Sequence, residues 1–129
     1  MPEYDAANFD PPAPVVKAAL RSLESRAVVR EVELLLDSGA DITLLPQTAV
    51  AQLGVTADSR KRYELMGFNG SRSFASGVIM DVLVFGKAFR GLYLLTEDTR
   101  GVVGRDVLNH LAVIFDGPAS RWSIVGEQA

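Results

Sequence analysis

The sequence predicts a mainly β fold, barrel-like or sandwich, with one or two short helices. Three observations lead there. Seven or more short apolar or alternating segments recur along the chain, each bounded by turn residues. Only two segments have a helical character, and each is brief. Asn69-Gly70 carries a strong two-residue hairpin signal, because both positions of a type I′ turn need positive φ. At 129 residues the chain is one domain, able to bury about two thirds of its unfolded surface, with no internal repeat or interdomain linker.

Taken in order, residues 1–14 are polar or small, with Pro11, Pro12 and Pro14, and read as a loose N-terminal arm. Residues 15–23 form a first apolar strand, and Glu24-Ser25-Arg26 turns the chain back. In residues 27–36, Val28, Val32, Leu34 and Leu36 share one parity while Glu31 and Glu33 take the other, the period of a half-buried strand. The pattern becomes wholly apolar at Leu34-Leu35-Leu36, as expected where a strand enters a core. Residues 42–45 make a short buried strand. Pro46 suits a helix start and Gly54 its end, so residues 47–53 predict a two-turn helix. Residues 56–62 are a polar, basic connection. Residues 63–66 and 71–76 flank Gly67-Phe68-Asn69-Gly70 as a hairpin whose glycines and single aromatic suit a mobile cover. Residues 78–85 and 89–95 pair around Gly86-Lys87; residues 97–101 turn; Val102 to Asp106 lead into a helical segment at 107–110. Strands at 111–115 and 121–125, joined by Asp116-Gly117-Pro118, complete the chain.

Composition removes several classes of function. A formal charge of −3 argues against a general nucleic-acid binder, which carries a basic stripe; Arg60-Lys61-Arg62 is too short to supply one. No cysteine means no disulfide framework and no thiol chemistry, and a single histidine with no cysteine argues against a zinc site. His110 lies in an apolar stretch and reads as structural. Glu97-Asp98 and Asp116 lack the spacing of calcium ligands, and Trp122 reads as core or interface material. No apolar run approaches the roughly 18 residues that span a bilayer. The start of the chain lacks the basic-then-apolar pattern of a signal peptide. A cytoplasmic protein is expected.

The chemistry concentrates at Leu34-Leu35-Leu36-Asp37-Ser38-Gly39-Ala40-Asp41. A carboxylate arriving straight from an apolar run costs many kcal/mol to bury unless its surroundings are built for it. Ser38 can donate a hydrogen bond, and Gly39 permits turns a Cβ forbids. Asp37 is therefore the candidate catalytic acid. Alone, Asp-Ser-Gly is also ordinary turn chemistry.

Two further segments narrow that choice. With the Asp37 motif, residues 66–71 and Val102-Val103-Gly104-Arg105-Asp106-Val107-Leu108 fall in the order and approximate spacing of the retropepsin-like aspartic proteases, and the chain resembles a single-domain, bacterial-type member of that family over residues 15–125. The resemblance implies a closed β-barrel, residues 1–14 forming a flexible arm and 15–129 the protease domain, and an aspartic endopeptidase without cofactor or metal. It implies a homodimer, because one chain holds a single Asp-Ser/Thr-Gly and so half of a two-aspartate site. Strands from both chain ends close such dimers, which gives the arm and residues 121–125 a purpose. It assigns catalysis to Asp37, support of the loop to Ser38 and Gly39, and structural support of the site to Arg105 and Asp106. Substrate binding falls to Ala40, Asp41 and the cover residues Gly67, Phe68, Asn69 and Gly70, with Asp41 either holding substrate backbone or pairing with Arg105. Peptides or proteins are the expected substrates, with no nucleic-acid or membrane partner. A dimeric peptide-binding or scaffolding module that lost turnover is the alternative.

Overall fold

Alternation along the second strand sets the core. In the structure, a computed structural model that describes residues 2–55, 62–66 and 70–126, Val32, Leu34 and Leu36 of this strand are buried together with Leu20, Leu45, Val50, Met80, Val82, Val103 and Val107. Nine strands and two short helices surround them: β1 (Val15–Arg21), β2 (Val28–Leu36), β3 (Leu44–Pro46), α1 (Gln47–Ala51), β4 (Arg62–Met66), β5 (Arg72–Val84), β6 (Lys87–Thr96), β7 (Gly101–Val103), α2 (Arg105–Leu108), β8 (Val113–Asp116) and β9 (Arg121–Ile124). The mainly β barrel with two short helices is as expected.

The barrel closes through a bulge. β1 pairs antiparallel with β2, but between Ala18↔Val32 and Leu20↔Val29 two residues of β2 face one of β1. Glu31 sits there at φ 61. Such an insertion bends and twists the strand, and beyond it residues 19–21 of β1 also pair with β5. The ring then runs β1-β2-β7-β3-β6-β5 and back to β1, six strands, with β4 added outside on β5.

Several expected boundaries shift for identifiable reasons. The separate strands at 71–76 and 78–85 are one strand, β5, which runs through Gly77. Gly77 does not break the strand: a Cβ there would lie 2.8 Å from the Tyr63 ring and 2.9 Å from Leu92, so it marks close packing. The turn expected at Gly86-Lys87 is Phe85-Gly86, both at positive φ, with Val84 paired to Lys87. A phenylalanine in that conformation is costly, and its ring packs edge-on against Trp122 at 5.6 Å. Pro46 is the N-cap of α1 rather than its first residue, because it still pairs with Thr96 in the sheet. The second helix starts at Arg105, two residues before the expected 107, since the Gly104 carbonyl already accepts the N–H groups of Val107 and Leu108. Arg62 begins β4, and the rest of the connection expected at 56–62 lies outside the described residues.

The start of the arm, expected to be loose, is tied down. Tyr4 donates its N–H to the Ser120 carbonyl at 2.8 Å, Trp122 donates to the Pro2 carbonyl at 3.0 Å, and Glu3 bridges Arg121. Farther along, the Pro14 carbonyl accepts the Leu36 N–H at 2.9 Å, one residue before Asp37.

Across the barrel wall Arg21, Asp81 and Arg90 stand in one row of β1, β5 and β6. Asp81 is 1% exposed, and its two oxygens accept from both guanidinium groups at 2.8–3.3 Å. The hydrogen bonds from Arg90, then those from Arg21, hold its carboxyl down at about 2 despite burial. No helix among the described residues is long and apolar enough to cross a membrane.

Candidate active site

Asp37 follows directly from β2. Parallel pairing of β2 with β7 sets Leu36 beside Val103, and the Asp37 N–H donates to the Val103 carbonyl at 3.0 Å. The chain then reverses in a tight turn: Ala40 N–H donates to the Asp37 carbonyl at 3.2 Å, and Gly39 N–H donates to Asp37 Oδ1 at 2.9 Å. That second bond fixes the carboxylate of a half-buried residue in the turn it opens. A Cβ on Gly39 would come 3.1 Å from the same oxygen, so the small residue leaves the acid room.

The next elements strap this turn from below. Arg105, the first residue of α2, donates its N–H to the Ala40 carbonyl at 2.8 Å and Nη1 to the Ser38 carbonyl at 2.7 Å. One residue thus braces two peptide groups of the Asp37 turn. Asp106 accepts from the Thr43 hydroxyl at 2.7 Å through Oδ1 and from the Thr43 N–H at 3.0 Å through Oδ2. Thr43 Oγ1 in turn accepts the Gly104 N–H at 3.0 Å. Gly104 makes the approach feasible: a Cβ there would sit 2.7 Å from the Ile42 carbonyl carbon and 3.0 Å from the Ala40 oxygen.

Nearby, Tyr93 donates its hydroxyl to the Phe89 carbonyl at 2.6 Å. Burial, and after it the charges of Asp106 and Asp81, push its phenol up to about 12.

The structure therefore brings together Asp37, Ser38, Gly39, Ala40, Arg105 and Asp106. It does not pair Asp41 with Arg105: Asp41 is exposed, and among the described residues Arg105 reaches Ser38 instead. Of the cover residues, Gly67, Phe68 and Asn69 lie outside the described residues. Gly70 is exposed at φ 79, ahead of β5. Sequence reasoning missed Thr43. The available signal was a hydroxyl in the apolar run Ile42-Thr43-Leu44-Leu45, since a buried polar side chain demands a partner. Among the described residues no group of three or more His, Cys, Asp or Glu is placed to hold a metal ion.

Chemically, the turn offers one oriented carboxylate with one oxygen engaged. Asp106, the other acid of the strap, commits both oxygens to Thr43 and so is not its mate within the chain.

Comparison with known proteins bears on this arrangement. A family model described as aspartyl protease matches residues 27–107, from the start of β2 into α2. Among solved structures, the chain is similar to EIAV protease complexed with the inhibitor HBY-793, with 16% sequence identity, a TM-score of 0.56, and coverage of 82% of this chain and 91% of that one. Likeness at that identity concerns the fold, which is that of a retroviral protease. A search of curated proteins returns no match.

Proposed function

Since this chain belongs to the aspartyl protease family, we propose that it is an aspartic endopeptidase whose working form is a homodimer with Asp37 of each protomer facing its twin. The observation that carries this reading is the mount of Asp37. One carboxylate per chain is held at a turn braced by Val103, Arg105, Thr43 and Asp106, with no second free acid among the described residues of that brace.

Two carboxylates a few ångströms apart cannot both ionise readily, so they share a proton and titrate as a pair. The ionised Asp37 takes a proton from a water between the two. The water oxygen attacks the peptide carbonyl carbon while the protonated Asp37 gives its proton to the carbonyl oxygen, forming a tetrahedral diol. Collapse breaks the C–N bond. The first carboxyl returns its proton to the leaving nitrogen, and the other recovers one from the diol hydroxyl. On this reading exposed Gly39 and Asp41 hold the peptide backbone beside the turn, and Ala40, whose N–H and carbonyl are both engaged within the chain, meets it through its side chain. On the same reading the hairpin of β4 and the first half of β5 acts as the cover, excluding water and positioning substrate.

Cleavage of a peptide library at acidic to neutral pH, with wild type and Asp37→Asn in parallel, tests the assignment. We expect Asp37→Asn to lower turnover by about 10³-fold or more. Turnover that survives in the variant removes Asp37 from its role. A folded dimer that binds peptides without cleaving them in either form is a binding module.

A further inference from the structure

One stretch of the barrel wall is left without a neighbour. β6 pairs with β5 from Lys87 to Leu94, but β3 covers its other side only from Leu94 to Thr96. Val84 and Lys87 close a two-residue loop, so they exchange both ladder bonds, and bonding to β5 then falls on residues 87, 89, 91 and 93. Leu94 fits this alternation, since its N–H turns the other way, to the Thr43 carbonyl. The N–H and carbonyl groups of Ala88, Arg90 and Leu92 therefore face away from β5, and among the described residues no strand receives them. A cavity of about 440 Å³ lies along residues 87–93, with Asp106 and His110 as its other wall. A strand edge left open in this way is a template for another chain.

The side chains beside that edge form two rows across the strands. One row is Arg21, Asp81 and Arg90, alternating in charge. Arg90 ends it with its side chain 61% exposed, Nε and Nη2 on Asp81 and, among the described residues, nothing on Nη1. The next row is Ile79 and Leu92, 61% and 37% exposed, an apolar pair on open surface. We infer that this edge is a docking site for an extended segment of another protein, which adds a strand beside β6 and sets an acidic residue next to Arg90 and an apolar one next to Leu92. Backbone pairing holds the segment, and the two rows choose it. The acid extends the charge row by one opposite charge, and the apolar residue covers the Ile79–Leu92 pair. Antiparallel pairing, the more stable kind, requires the order apolar-x-acidic. The site lies apart from the Asp37 turn and calls for no cleavage there.

Capped threonine hexapeptides carrying one valine and one glutamate test this by titration into isotope-labelled protein, followed by NMR. The peptide Thr-Val-Thr-Glu-Thr-Thr should shift the amide signals of Ala88, Arg90 and Leu92. It should bind about 3- to 5-fold more tightly than the same peptide with glutamine for glutamate, the worth of an exposed ion pair. The reversed order, Thr-Glu-Thr-Val-Thr-Thr, should bind more weakly by a similar factor. Methylating the glutamate nitrogen, whose N–H points at the Arg90 carbonyl, should weaken binding about 10-fold or more. Methylating the nitrogen of the threonine before it, whose N–H points away, should leave affinity within about twofold. In the protein, Ala88→Pro removes one N–H of the edge, where proline is tolerated, and should also weaken binding about 10-fold; the peptide series decides the matter if that variant does not fold. The inference is overturned by no binding up to about 1 mM or by shifts confined to residues 37–41. Equal affinity of the glutamate and glutamine peptides, a reversed order that binds as well or better, or equal effects of the two methyl groups overturns it too. Cleavage is not read in these titrations, so neither outcome touches the assignment of Asp37.

Discussion

Replacing Thr43 by valine tests whether the Asp37 turn is held as described. The side chain is fully buried, and the substitution keeps its shape while removing one hydroxyl. Two bonds go with it: the 2.7 Å donation to Asp106 Oδ1, a hydrogen bond to a charged group, and the 3.0 Å acceptance from Gly104 N–H. A hydrogen bond to a charged partner contributes about 1.5–3 kcal/mol, and a buried donor left unsatisfied costs about 1–3 kcal/mol. Allowing for partial relaxation, Thr43→Val should destabilise the protein by about 3 kcal/mol. For a domain of this size that lowers the melting temperature by roughly 10 °C. Urea and thermal unfolding at fixed protomer concentration read it directly, since any self-association makes stability depend on concentration. Thr43→Ser is the control: it keeps both bonds, loses a methyl group and should cost about 1 kcal/mol. Valine costing no more than serine would mean that the Thr43 hydroxyl does not tie residues 40–43 to 104–106, and the strap would fall.

Other parts of the structure give separate expectations. Asp81→Asn removes the buried carboxylate from two guanidinium groups that reach solvent and should cost about 1.5–3 kcal/mol; urea midpoints measure it. In wild type the Asp81 carboxyl is held at about 2, below its ordinary 3.8, so its stabilisation is complete above 3.8 and drains away as pH falls towards 2; the asparagine variant should lose that acid limb. Gly104→Ala drives a methyl into the Ile42 carbonyl and should cost about 3 kcal/mol in unfolding, with loss of turnover. Arg105→Met removes the exposed brace on Ser38. It should cost about 1 kcal/mol of stability yet lower turnover about 10- to 100-fold, since small misplacements of a reacting group are expensive.

What could be read from the sequence was local. The alternation of Val32, Leu34 and Leu36 and the Asp-Ser-Gly turn each depend on residues within a few positions of one another and appear as expected, whereas Val28, beyond the bulge, is exposed and α1, expected over 47–53, ends at Ala51 with Gln52 rather than Gly54 as its C-cap. What escaped depends on distant partners. Thr43 and Asp106 are 63 residues apart, and no local pattern says that a threonine in an apolar run answers an aspartate near the other end. The β2 bulge at Glu31 exists to turn β1 from one neighbour to another, which is a property of the closed barrel. Gly77 reads locally as a breaker, while its role is to admit Tyr63 and Leu92. The resemblance pointed to Arg105 but not to its partner, and a carbonyl as acceptor leaves no mark in a sequence.

The bonding of the other well-placed acids is the reason the proposed chemistry is assigned to Asp37. A carboxylate that shuttles protons needs an oxygen that is not already committed. Asp81 is clamped between two guanidinium groups and stays ionised far into acid, so it cannot carry a proton near neutrality. Asp106 gives one oxygen to a hydroxyl and the other to a backbone N–H. Asp37 gives Oδ1 to Gly39, and among the described residues Oδ2 accepts nothing. The fixed polar groups around the turn hold Asp37 still and, among the described residues, leave its Oδ2 open, as the proposed two-chain site requires.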